Sequence, residues 1–573
     1  MGRRRAAAAA AVTLACGAAA ALVIEPAAEG RGSAHPVAPL HHHIGPGGPG
    51  GPGGPGGSSG QPAVAVPDSY QTGTTGTLAV SANHGILAND HNGPVQLISH
   101  TDPSHGSLTL QPDGSFQYVP AAGFTGTDSF TYTVSNAVSL YTTHLPSLGT
   151  FGGVSLSGGG FGSSLYPVPG HSDEFYGLED RGPNVSAPNG DDVLPLPSFD
   201  PSIGEFRFGP DGQAVEIRTI PLQDASGHPY SGLVNTGNST GETMENLQGQ
   251  VLANDPDGYD SEGLVAMPDG SFWVSDEYGP YITHFTADGR QIQRLSPQDG
   301  SLPRELANRV PNKGMEGLTI TPDGRMLVGM MQSALQQTDL GSTKATKIVP
   351  TRIVTYDLRT HAVHEYLYLL HDPATTGTAV SEITALSDTK FLVDERDGNW
   401  PGTGAFKRLY EIDSSHATDV GPSAHVRGAV YNATGGGLLV GGKTIEELTN
   451  GDDTATAQTT LQTAGIQPVS SSLYLDINAM LLSLDPQARF FSHDKIEGVA
   501  ALDNGHEIVI SNDSDFGIAG VTNTAPPWQL EPKISPATGQ QDDGEYLEID
   551  PDRLNSTTSA AQTSTATVSI NVG

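Results

Sequence analysis

A short unit that opens on glutamate recurs along the chain: "EGLVAMPDGSFWVSDE" from Glu262, "EGLTITPDGRMLVGM" from Glu316, "SEITALSDTKFLVDERD" from Ser381 and "EGVAALDNGHEIVISND" from Glu497. Each reads as a strand, a tight turn at "PDG" or a similar polar break, and a second strand. In an antiparallel hairpin the start of the first strand and the end of the second lie at the same end. Glu262 is therefore expected near Asp276 and Glu277, Glu382 near Glu395 and Asp397, and Glu497 near Asn512, Asp513 and Asp515. Gathered carboxylates are costly unless a cation compensates them or protons stay on. Oxygen donors without cysteine or repeated histidine favour Ca²⁺ over zinc. Glu262, Glu316 and Glu497 are the candidate catalytic groups, and Asp276, Glu277, Glu382, Glu395, Asp397, Asn512, Asp513 and Asp515 the candidate metal ligands. A structural role competes with this one, in which the glutamate accepts backbone N–H groups between neighbouring units. Arg181, Lys313, Arg396 and Lys495 stand beside these positions, as phosphate contacts or as simple neutralisers of their neighbours.

Something must bring the units to one place. Five of them align when the degenerate "GSSLYPVPGHSDEFYGLEDRG" at 162 to 182 is included, and the gaps before 262 and after 382 leave room for one or two more. A hairpin every ~40 to 65 residues, each followed by further strand-like sequence, is what a β-propeller requires. Six or seven blades are expected, with the glutamates collected around one mouth of the channel. Upstream, from 63 to 137, "GSLTLQPDGSFQYVP" and "DSFTYTVSN" alternate apolar and polar residues, with a hairpin turn at Asp113-Gly114, which predicts a small β-sandwich. The fold class is all-β.

The 573 residues carry a formal charge of -36, a surface that repels nucleic acid and anionic membranes. Arg3 to Arg5 followed by an alanine-rich apolar run read as a signal peptide over 1–30. The single cysteine, Cys16, falls inside it, and Thr13 makes it a poor lipoprotein site. Loss of Cys16 with the signal excludes disulfides, cysteine catalysis and cysteine zinc sites. A Gly/Pro-rich linker over 31–62 includes His41 to His43 and is expected to be a solvated tether. No later run is long and apolar enough to span a bilayer. "GNSTG" at 237 to 241 fits the Gly-x-Ser-x-Gly pattern, but its polar surroundings do not deliver Ser239 as a nucleophile elbow.

Two resemblances add to this. "GILANDHNG" with "HGSLTLQPDGSFQYVPAAGFTGTDSFTYTVSN" resembles bacterial cadherin-like, immunoglobulin-like repeats. In that family a final strand follows "FTYTVS" after a short turn. Here a strand of that type, "TATVSINVG", stands at 565–573. The resemblance implies that 138–560 is inserted into the sandwich's last hairpin, with 565–573 pairing back near Phe130 to Val134.

The repeated units, as "DSEGLVAMPDGSFWVSDEYGPYITHF", "NKGMEGLTITPDGRMLVGMMQSAL", "SEITALSDTKFLVDERDG" and "KIEGVAALDNGHEIVISNDSDFG", resemble the phytase-like family described as having esterase-like activity. Membership implies hydrolysis of phosphate or other esters, and relation to propeller phytases implies calcium; with the export signal, the expected protein is a secreted or cell-surface Ca²⁺-dependent hydrolase of small-molecule phosphomonoesters, phytate-like polyphosphates first among them. Two alternatives stay open: a metal-dependent lactonase or carboxylesterase, and a non-catalytic extracellular binding module. The Ig-like domain would then contact a cell surface or the extracellular matrix.

Overall fold

The computed structural model describes residues 61–74, 76–238, 241–554 and 560–571. The segment expected to be a signal peptide, Cys16, His41 to His43 and Ser239 lie outside the described residues. No helix among the described residues is long and apolar enough to cross a membrane.

Five four-stranded sheets form the body of the protein. Their first strands are Ser164–Pro167, Ser261–Ala266, Met315–Ile320, Ala379–Ala385 and Ile496–Leu502. These inner strands pack side by side, and the fifth closes on the first, as a propeller-like ring. A separate apolar layer fills each gap. Leu178 and Ile203 meet Leu264 and Val274, Val265 and Trp273 meet Leu318 and Leu327, and Val328 and Ile353 meet Ile383 and Val393. Leu392 and Leu409 then meet Val499 and Ile510, and Ala500 and Val509 return to Leu165 and Phe206. Each buried aliphatic side chain of this kind stabilises by about 1.5–3 kcal/mol.

Among the described residues the ring has five four-stranded sheets, where six or seven blades are expected from the repeats. The long gaps hold smaller accessory sheets and helices instead of further four-stranded ones. Between 183 and 258 lies a three-stranded sheet of Val185–Ser186, Asp192–Leu194 and Met244–Asn246. Between 414 and 469 lie the hairpin Ala429–Asn432/Gly437–Val440 and the helices Ile445–Leu448 and Thr454–Thr463. The outer strand of the fifth sheet is Val138–Thr142, paired antiparallel with Glu545–Ile549 from the other end of the ring segment.

The repeated glutamate has a local cause for its position. The first and second strands of the last four sheets slip register between Ser261 and Leu264, Met315 and Gly317, Val380 and Glu382, and Ile496 and Val499. Such bulges re-aim a side chain, and each one contains or directly adjoins the repeat's Glu. The glycine after it is required by the next strand: a Cβ on Gly317 would lie 2.6 Å from Ile383 N, and one on Gly263 2.5 Å from Leu318 N. Gly317→Ala is expected to destabilise the protein by about 1–3 kcal/mol through overpacking, read as a lower midpoint in denaturant. An unchanged midpoint would show that the strands can move apart.

Two smaller sheets pack face to face upstream of the ring. One runs in the order Asp68–Gly73, Gln562–Asn571, Gly126–Ser135, Gln96–His100, and the other Leu78–Val80, Phe116–Pro120, Gly106–Leu110. Gln562–Asn571 pairs antiparallel with Gly126–Ser135, Ala566 opposite Phe130, and buries Ala566, Val568 and Ile570 among Phe116, Tyr118 and Tyr132.

Candidate functional site

The end of the ring where the inner strands begin holds a cavity of about 280 Å³. Its carboxyl groups are Asp180, Asp260, Glu262, Glu277, Glu316, Asp397, Glu497, Asp513 and Asp515, and its basic groups are Arg181, Lys313, Arg396 and Lys495. The excess of acid over base must be met by protons or by a bound cation.

Second-sheet residues supply the tightest acidic group. One oxygen from each of Asp260, Glu262 and Glu277 lies within 4.8 Å of the others. Asp260 Oδ1 accepts from Arg181 N at 3.1 Å, but its Oδ2 accepts no hydrogen bond. Burial, then the charge of Glu316, raises the Glu262 carboxyl well above the usual range. Burial raises Asp260 likewise, Arg181 opposing and Glu277 reinforcing. Three convergent hard oxygens, one of them a buried Asp260 Oδ2 that accepts no hydrogen bond and has Arg181 at 3.7 Å as an ion-pair partner, fit an oxygen-preferring divalent cation.

Glu316 faces the same space from the third sheet. Gln332 Nε2 donates to its Oε1, while Oε2 has no partner. Gln332 Oε1 in turn accepts from Lys313 Nζ at 2.8 Å. Burial, Glu277 and Glu497 together keep the Glu316 carboxyl protonated to well above its ordinary pKa. Glu497 differs: it is ion-paired with Arg396, whose Nε also donates to Ser381 Oγ at 2.8 Å.

The other bases are more heavily committed. Arg181 lies 3.7 Å from Asp260, 3.8 Å from Glu242 and 3.9 Å from Asp192. Lys495 Nζ donates to Asp513 at 2.8 Å and Asp515 at 2.5 Å. Burial, with Asp515 beside it, raises Asp513 to about 7. Against burial, Lys495 and Lys533 hold Asp515 below the carboxylate range. Asp397 lines the cavity while accepting from Phe406 N at 3.0 Å.

Four of the expected ligands do not line the cavity, because backbone and neighbouring side chains use their oxygens. Asp276 accepts from Asp260 N at 2.8 Å and Gly279 N at 2.6 Å. Glu382 accepts from Ser164 Oγ at 2.6 Å and Leu318 N at 3.0 Å, tying the fourth sheet to the first and third. Glu395 accepts from Tyr368, Thr378 and His371. Asn512 bridges Glu545 N and Asp543 O.

Asp180, Asp260 and Gln332 complete the site and were not singled out as site residues from the sequence. Asp180 and Gln332 follow second strands, as the acidic "SDE" does in the second unit, so closer alignment of the units would have found them. Asp260 had only its place two residues before Glu262 as a signal.

Burial also raises Asp394 and Glu179 to about 8 and Asp276 to about 6. A carboxyl whose pKa is higher folded than unfolded favours the fold while protonated, and that contribution is lost as pH rises from its unfolded value to its folded one. Against burial, Asp542 raises His493 to about 9, with the same sign between its unfolded and folded values. The melting temperature is therefore expected to fall as pH rises from about 4 to about 9. Calorimetry across that range measures it; a melting temperature that holds or rises would refute the link.

The sequence matches two family models: a bacterial Ig domain over 60–145 and the phytase-like family, "Esterase-like activity of phytase", over 158–516. An "Uncharacterized secreted protein" of Arthroderma benhamiae is 32% identical over 244 residues, covering 33% of this chain and 47% of that protein. The chain thus spans about half the length of that curated relative. Among solved structures, virginiamycin B lyase from Staphylococcus aureus is 10% identical at a TM-score of 0.25, covering 79% of this chain and 99% of its own. A streptogramin B lyase is 12% identical at 0.25, covering 72% and 96%. Similarity at this level says nothing of activity. The phytase-like match carries the identification, since it takes in more than half of the sequence and all five inner strands: the protein belongs to the phytase-like family.

Proposed function

We propose that this protein is a secreted, Ca²⁺-dependent hydrolase of phosphomonoesters. The family supports a hydrolase, and the observation that carries the reading is the Asp260–Glu262–Glu277 oxygen cluster facing Lys313 and Arg396 across one small cavity. Asp260, Glu262 and Glu277 would hold the cation. The chemistry it supplies when bound is neutralisation of phosphoryl charge and activation of water. Lys313 and Arg396 bind phosphate oxygens, Arg396 through the part of its guanidinium not engaged by Glu497 and Ser381. Glu316, anchored through Oε1 by Gln332, holds or moves a proton at its free Oε2.

Export is supported by the N-terminal sequence and by the relative described as secreted. The pairing of Gln562–Asn571 with Gly126–Ser135 supports an Ig-like sandwich into which the ring segment is inserted. That sandwich is free to contact a cell surface or matrix.

A second reading, a metal-dependent lactonase or carboxylesterase, draws on the commitment of Arg181 and Lys495 to carboxylates, which leaves fewer cations for phosphate. The deciding experiment titrates metal-stripped protein with Ca²⁺ while following phosphate release from phytate and an aryl phosphate, and acid release from an aryl acetate. Calcium-restored phosphate release is the expected result. Ester turnover alone selects the second reading, and silence on all three, in protein that binds Ca²⁺, selects a binding module.

A further inference from the structure

Beside the charged cavity lies a second one of about 510 Å³, and Asn184 and Asp515 line both. Its character is different. Its lining is mostly polar, but Trp400, Pro532 and Ile534 add apolar surface, Ile534 being 43% exposed, while Val185 and Ile518 are buried side chains. One loop serves both cavities: Asp397 and Gly398 line the first and Trp400 the second.

That loop is held in place. Asp397 accepts from Asn399 Nδ2 at 2.5 Å and Phe406 N at 3.0 Å. Asn478, on the helix Ile477–Leu484, both donates to Gly402 O and accepts from Gly402 N at 3.0 Å. A half-buried indole on a pinned loop next to a charged site is a preorganised platform for a flat apolar group.

The charges argue against a polyanion there. Lys533, 5.9 Å from the Trp400 ring centroid, is the cavity's only base among the described residues. It is 3% exposed and ion-paired with Asp494 at 2.6 Å, Asp515 at 2.7 Å and Asp542 at 3.1 Å. Asp494, Asp515 and Glu531 line the same space. Further phosphates on a leaving group would meet carboxylates with no free cation.

We propose that this second cavity receives the leaving group of the ester, and that the group is neutral and aromatic, so that the preferred substrates are aryl phosphomonoesters and not polyphosphates. The proposal rests on the phosphoester reading of the charged cavity. Phosphonates separate the two, because they bind without turnover.

Phenylphosphonate and methylphosphonate would be titrated calorimetrically into calcium-loaded full-length protein and its Trp400→Ala variant. The phenyl compound is expected to bind about tenfold tighter, from burial of the ring. Trp400→Ala should bring the ratio to about twofold or less, with methylphosphonate unaffected. Ile534→Asp, at an exposed position, is the second variant should Trp400→Ala fold poorly, and it too should weaken only the phenyl compound. Equal affinities in the wild type, or a preference untouched by either variant, overturn the leaving-group subsite and leave the phosphate reading standing. Failure of both phosphonates to bind overturns the phosphate reading and the subsite with it.

Discussion

Glu316→Gln is expected to lower calcium-dependent turnover at least a hundredfold, the scale of a lost general acid or base, while leaving the melting temperature unchanged or raised. The stability half follows from the site's electrostatics. Burial and the neighbouring Glu277 and Glu497 keep the Glu316 carboxyl protonated in the metal-free protein, and Gln332 already donates to its Oε1. An amide reproduces that neutral, hydrogen-bonded shape and, unlike the carboxyl, cannot ionise beside Glu277 and Glu497. The activity half follows from Oε2, which has no partner and faces the cavity, and which an amide nitrogen replaces with a group that cannot take up a proton. Steady-state kinetics on an aryl phosphate and a thermal melt test the two halves separately. Wild-type turnover would remove Glu316 from the chemistry, whatever the melt showed.

Arg396→Met should fail in both respects, losing activity and about 3 kcal/mol of stability, the scale of a broken buried ion pair. Glu497 would lose its charge partner, and Asp394, whose carboxylate oxygens accept no hydrogen bond, would lose a neighbouring positive charge. Phosphate would lose one of the two bases proposed to bind it. Arg396→Lys keeps the charge but not the planar fork that reaches both Ser381 and Glu497, so it should recover more stability than activity. Denaturant melts of the two variants beside their kinetics would show this split. An Arg396→Met protein as stable as the wild type would refute the structural half of this prediction.

The contrast between Glu316 and Glu382 marks how far the residues alone can be read. Both open equivalent strands, both are buried, and both sit at a register slip. One faces the cavity. The other is captured by Ser164 from across the ring and by Leu318 N from the adjoining sheet, partners more than sixty residues away in the chain. Likewise Glu395 ends its strand as Glu277 does, yet His371, Tyr368 and Thr378 take up its oxygens.

What is local or periodic can be read from the residues alone. Alternating apolar residues specify strands, "PDG" breaks specify turns, and the spacing of the repeats brings acidic residues to one end of each hairpin. That suffices for the all-β class, for the paired strands of the repeats and for the general position of Glu262, Glu316, Glu497 and their basic neighbours. The rest follows from how distant segments pack. The number of sheets depends on whether long gaps fold into the ring or form structure outside its sheets: 202–221 supplies two strands of the first sheet, whereas 183–201, 222–258 and 414–469 form smaller sheets and helices instead. Which carboxylates remain open to a ligand depends on how neighbouring sheets approach, because a buried oxygen takes whatever donor packs against it, and those donors come from segments that sequence spacing does not connect.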